Sequence, residues 1–201
     1  MKVRKPFPPP LARQLGLNLL NLEGVKSTYK NNMTENEFFA IIDHIVHQGG
    51  LLLERYIKDD GLSLDYVAIF SQDEEEQKQL LEIAHKLGSV VEETKTGLTF
   101  LLSQPYKTKK GNLRLVKIRY WDKNKPFRGA PDFRVNDYTS FKEKYGRLPN
   151  MNLIDRKEYE MLELSDKNSD ILVYFPSEPL TVAFSKCQRP NNLKALGAEF
   201  S

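Results

Sequence analysis

The stretch Leu64-Asp65-Tyr66-Val67-Ala68-Ile69-Phe70 alternates at period two, with Val67 and Ile69 on one face and Tyr66, Ala68 and Phe70 on the other. It reads as a strand covered on both faces. Behind it, Ser71 and Glu74 form a capping box, the acids of 73–76 suit the positive end of a helix, and Leu80, Leu81, Ala84 and Leu87 make one apolar stripe before Gly88. Strand signals follow at 90–94, 98–103 and 113–121, separated by the turn signals Lys95-Thr96-Gly97 and Lys109-Lys110-Gly111-Asn112. The order then repeats. Asp132-Phe133-Arg134-Val135 leads into a helix over 137–146 with Tyr138, Phe141 and Tyr145 on one face, and strands at 153–154, 159–164 and 171–175 complete a second unit. The expected fold is α+β: tandem βαβββ units forming a curled mixed sheet, or cup, behind a helical lead-in.

The rest of the chain fits around these units. A Pro-rich arm occupies 1–33, with a short helix expected over 11–22, and a helical lead-in occupies 34–62. Thr34-Glu35-Asn36-Glu37 is a capping box, Phe38, Ile41, Ile42 and Ile45 repeat at helical spacing, and Gly49-Gly50 weakens or interrupts the helix. The first unit spans 63–125 and the second 126–179, with a linker at 126–131, and a peripheral tail takes 180–201. The 201 residues, 23.3 kDa, suffice for one well-buried domain or two half-domains sharing a core. Apolar runs of five or six residues are far short of the roughly twenty that a spanning helix needs, and no apolar signal region opens the chain. The lone Cys187 cannot close an internal disulfide. These features predict a soluble, cytoplasmic protein with no membrane partner.

Net charge is +3, but nine basic residues lie between Lys107 and Arg128 against the single acid Asp122, leaving about −5 for the remainder. That segment, 107–128, interleaves Tyr120, Trp121 and Phe127 with its cations, a mixture that tracks phosphates while stacking bases. Nucleic-acid binding is therefore one reading. A protein-interaction module, docking through the prolines of 6–10, is another.

Leu101-Leu102-Ser103-Gln104-Pro105, Leu115-Val116-Lys117-Ile118-Arg119-Tyr120-Trp121, Arg128-Gly129-Ala130-Pro131-Asp132-Phe133-Arg134-Val135 and Tyr174-Phe175-Pro176 carry a resemblance that covers about 34–179. With the double βαβββ order, the chain resembles the vicinal oxygen chelate superfamily (glyoxalase I, extradiol dioxygenases, fosfomycin resistance proteins), and within it the YecM-like branch. The resemblance implies a cup in which the first and last strands of each unit converge on a divalent metal held by His, Glu or Gln. This chain departs from that pattern. Tyr66 stands at the histidine position, Ile118 or Arg119 at the fourth-strand glutamate, Asp132 at or near the fifth-strand ligand, and Val173 or Tyr174 at the eighth. The resemblance thus implies the cup with neither metal nor other cofactor; a metal-dependent enzyme with atypical ligands is the alternative.

Strand alternation leaves two placements for Leu115, Lys117, Arg119 and Trp121. If their face is concave, two cations occupy the metal's place and suit a small anion, with Trp121 or Tyr66 stacking on a planar ligand. If instead both charges face solvent, the apolar Val116 face packs on the helices, and the rarity of buried lysine weighs toward this second placement. The residues expected to line the cup are Tyr66, Lys117, Arg119, Asp132, Arg134 and Tyr174. No catalytic group is identified, although Asp132 is the best placed for a general base beside Lys117 and Arg119. His44 and His47, three apart on the lead-in helix, lack a third ligand, His85 reads as an exposed helix residue, and oligomeric state is not legible.

Overall fold

The computed structural model describes residues 32–187 except Asp60 and Glu158; the Pro-rich arm and the chain beyond Cys187 lie outside the described residues. Helix α1 (Glu35–Tyr56) precedes two units. The first is β1 (Ser63–Phe70), α2 (Glu74–Leu87), β2 (Gly88–Thr94), β3 (Gly97–Thr108) and β4 (Gly111–Arg119). The second is β5 (Gly129–Arg134), α3 (Tyr138–Tyr145), β6 (Met151–Asp155), β7 (Glu160–Ser165) and β8 (Leu172–Pro176), followed by α4 (Leu180–Cys187). The fold is α+β, and the tandem βαβββ order is as the sequence predicts.

All eight strands form one open sheet, in the order β2-β3-β4-β1-β5-β8-β7-β6. In each unit the first strand pairs parallel with the fourth, and the two first strands pair antiparallel with each other at the centre. The sheet separates two apolar layers. Val67, Ile69, Val116, Ile118, Phe133 and Val173 pack with Phe38, Ile42, Ile45, Leu80 and Ile83 of the helices in the main core. On the other face Ala68, Phe70, Ala130 and Leu172 form a smaller cluster with Tyr66, Phe127 and Tyr174. No helix among the described residues is long and apolar enough to cross a membrane.

Local chemistry sets the boundaries. At α1 the Thr34 hydroxyl accepts from the Glu37 amide at 3.3 Å while the Glu37 carboxylate accepts from the Thr34 amide at 2.7 Å, the predicted capping box. The cap of α2 differs from the expectation: Asp73 Oδ1 accepts from the Glu76 amide at 2.7 Å, whereas the Ser71 hydroxyl donates to the Arg119 carbonyl and ties the end of β1 to β4. Gly97 closes the β2–β3 turn at φ +146, and its missing Cβ avoids a 2.0 Å approach to the Ile118 carbonyl oxygen.

Three further expectations change. The linker at 126–131 is partly strand, because Gly129, Ala130 and Pro131 pair with Ile69, Ala68 and Val67. β4 stops at Arg119, so Trp121 leaves the strand face; its amide donates to Gln77 Oε1, and the residue is 39% exposed. α1 also runs unbroken through Gly49-Gly50, since the main core buries that turn and offsets the glycine cost. The glycines let α1 lie close to the sheet. A Cβ on Gly49 would fall 2.5 Å from Pro131 Cγ, while one on Gly50 would meet only the swinging end of Lys110.

That contrast predicts opposite signs for adjacent substitutions. Gly49→Ala destabilises by about 1–3 kcal/mol through overpacking, whereas Gly50→Ala is neutral or stabilises by up to about 1 kcal/mol through helix propensity. Urea unfolding of the two variants checks the order; equal effects would contradict the close α1–β5 contact.

Candidate functional site

Register aligns polar side chains in two rows across the face opposite α1 and α2. Tyr66 on β1 pairs with Asp132 on β5, Asp132 with Tyr174 on β8, and Tyr174 with Glu163 on β7. One step away, Glu92 on β2 pairs with Thr99 on β3, Thr99 with Lys117 on β4, Lys117 with Ala68, and Ala68 with Ala130. The two alanines are themselves buried, packed with Phe70 and Leu172. Helices pack on the Val116 and Ile118 side, as the second placement expects, but Lys117 on the opposite side is largely enclosed rather than solvated. Lys117 is tolerated there because Glu92 balances it.

The six expected residues, Tyr66, Lys117, Arg119, Asp132, Arg134 and Tyr174, all fall on this face. Their charges are largely paired. Lys117 Nζ lies 3.6 Å from Glu92 Oε2, which also accepts from the Thr99 hydroxyl at 2.9 Å, and the lysine side chain is only 12% exposed. Arg134 Nε lies 3.3 Å from Asp65 Oδ1, close enough for attraction but not aligned as a hydrogen bond. Tyr174 donates to Glu163 Oε2 at 2.8 Å. Arg119 differs: its guanidinium lies 4.5 Å over the Phe70 ring, and among the described residues no carboxylate sits within ion-pair distance of it.

Asp132 is buried, and its Oδ1 has no hydrogen-bond partner among the described residues. Burial pushes its carboxyl well above the usual carboxylate range, Asp65 adds to the shift, and the Tyr66 hydroxyl, Lys117 and Arg119 oppose it. Burial likewise raises the Tyr66 phenol, with Asp132, Tyr159 and Tyr174 adding and Arg119 opposing. Tyr174 is raised by burial and then by Glu163. Lys117 moves down, first by burial and against the pull of Glu92, with Arg119 assisting. The cup therefore holds one guanidinium with no carboxylate partner among the described residues, a poorly solvated amine, a carboxyl that favours its proton and two protonated phenols.

Asp65, Glu92, Glu163 and Thr181 were not anticipated. A register shift between Leu64 and Tyr66 breaks the alternation and brings Asp65 to Arg134; a second, between Val90 and Glu92, sets Glu92 opposite Thr99. Only Glu163, alternating with Leu162 and Leu164 in β7, carried a period-two signal. The tail is not peripheral at its start, because the Thr181 amide and hydroxyl both donate to the fully buried Asp65 carboxylate.

The basic segment does not form one stripe. Lys110 pairs with Glu54, Lys117 and Arg119 enter the cup, and Arg128 grips Glu76 through both terminal nitrogens while donating to the Phe70 carbonyl. His44 pairs with Asp170 at 3.2 Å and borders a cleft of about 650 Å³ with His47, Lys107 and Lys109, while His85 meets Phe100 edge-on from an exposed position. Among the described residues, no three His, Cys, Asp or Glu side chains converge on a metal position.

No protein-family model and no curated protein matches this chain. A solved structure described as structural genomics protein EC4020 is similar, with a TM-score of 0.59 and 12% identity over 75% of this chain and 92% of that one. That likeness shows the fold alone.

Asp132 also fixes a pH dependence. A folded-state pKa raised above the ordinary 3.8 means that the native protein holds the proton more tightly than the unfolded chain. Its contribution to stability is present below the unfolded value and is lost as pH rises through the window up to the raised native value. Asp132→Asn, which stays neutral, flattens that fall across the pH range above the ordinary 3.8. Urea titrations of both proteins across this range test it; an unchanged slope would contradict the assignment.

Proposed function

We propose that the chain is a vicinal oxygen chelate-type protein of the YecM-like branch that binds a small anionic molecule in a cup without metal. The observation that carries this reading is the presence on one face of a guanidinium, Arg119, and a buried carboxyl, Asp132, for which, among the described residues, Arg119 has no carboxylate and Asp132 Oδ1 no hydrogen-bond partner. An unpaired buried oxygen costs about 1–3 kcal/mol, and a ligand atom that accepts the Asp132 proton or donates to Oδ1 removes that cost. Arg119 supplies the bidentate fork that suits a carboxylate or phosphate. Tyr66 and Tyr174 offer ring faces and hydroxyls on either side of Asp132.

The divalent metal that the resemblance implies does not fit these residues. Lys117 and Arg119 bring positive charge to its place, and burial holds both phenols in the protonated form, which binds such ions poorly. No step is therefore derived through a metal. Dispersal of the basic segment over several surfaces and the cup also favours the anion over nucleic acid.

Thermal and urea unfolding with acetate, lactate and phosphate tests the reading. A carboxylate at about a hundred times its dissociation constant adds about 2.7 kcal/mol, and Arg119→Met abolishes the gain without unfolding the protein. No stabilisation by any of these anions, together with salt-sensitive retention of single-stranded DNA, would overturn the reading in favour of the basic segment.

A further inference from the structure

Lys117 is an unusual residue for an anion site, because Arg119 alone supplies the fork and a second cation in water would gain more from solvation than from the cup. Its amine is nearly enclosed, opposite Ala68 in the register and on the same sheet face as Asp132. Glu92, 3.6 Å away, is close enough to take a proton through a small shift yet is held by Thr99. Arg119, two residues along the same strand face, keeps a second positive charge beside the amine. A desolvated lysine beside another cation, with a carboxylate to remove its proton and an acid on the same sheet face, is the arrangement of an imine-forming nucleophile.

We infer that Lys117 condenses with the carbonyl of a small 2-oxo acid whose carboxylate is held by Arg119, while Glu92 and Asp132 move the protons. The inference rests on the anion-binding reading of the cup and names its substrate class. Glu92 accepts one proton from the Lys117 ammonium, and the freed lone pair forms a C–N bond to the carbonyl carbon as the C=O π pair moves to oxygen. Asp132 protonates that oxygen and recovers a proton from the nitrogen. The carbinolamine then expels its oxygen as water with the proton carried by Glu92, and the nitrogen lone pair completes the C=N bond. Two protons leave nitrogen and two leave with oxygen, so both carboxyl groups return to their starting state and the positive charge remains on the iminium. No oxidant or reductant is needed. The downward shift of the Lys117 ammonium, caused first by burial, supports the step by enlarging the fraction present as amine.

The test is reductive trapping of the full chain with pyruvate, the simplest 2-oxo acid, and borohydride, followed by peptide mass spectrometry. The expected result is one reduced adduct, on Lys117, lost in Lys117→Arg and diminished in Arg119→Met. The wild-type peptide map decides the outcome even if the Lys117 variant fails to fold. No adduct, or labelling spread over exposed lysines such as Lys78 and Lys95 with Lys117 unmodified, overturns the inference. Lactate, with the carboxylate but no carbonyl, separates the two claims: stabilisation by lactate without a pyruvate adduct overturns the imine step alone, and neither stabilisation nor adduct overturns both.

Discussion

β1 and β5 pair antiparallel at the middle of the sheet, and this contact decides what the cup contains. It joins the two units through their opening strands, sets Tyr66 against Asp132 and Ala68 against Ala130, and makes the core under α1 continuous. A slip of one residue would send Asp132 into the apolar layer in place of Phe133 and bring Phe133 into the cup. Several contacts pin the register. Pro131 sits beneath Gly49, the Arg128 amide donates to the Asp170 carbonyl, and the Arg128 side chain locks Glu76 of α2 to the end of β1.

The cost of this arrangement is charge on a half-buried surface, and the protein offsets most of it pairwise. Lys117 has Glu92, Arg134 has Asp65, and Tyr174 has Glu163. Asp65 is further held by both donors of Thr181 at the start of α4, which links the chain after the second unit to the first strand of the first. Asp132 and Arg119 are the exceptions among the described residues.

Elements were legible wherever their cause was local. Thr34 and Glu37, the glycine turns at Gly97 and Gly111, and the period-two run of β1 each act within a few residues, and each stands where the sequence puts it. Misplacements arose where distant contacts decided. Ser71 has the chemistry of a cap but is drawn to the Arg119 carbonyl; Gly49-Gly50 has the composition of a break but is buried under Pro131. In the cup, alternation gathered Lys117 with Arg119 and Asp132 with Arg134 but could not tell inside from outside, which depends on where α1 and α2 pack. The two register shifts that bring in Asp65 and Glu92 left no mark in the sequence.

Carbon-13 NMR of the Asp132 carboxyl, followed through a pH titration of aspartate-labelled protein, tests the central claim most directly. The account predicts a carboxyl that remains protonated well after Asp166, whose pKa Tyr56 and the Asn168 amide lower, has ionised, and that shifts again when an anion enters the cup. An Asp132 signal that titrates with the ordinary carboxylates and ignores added anions would contradict it.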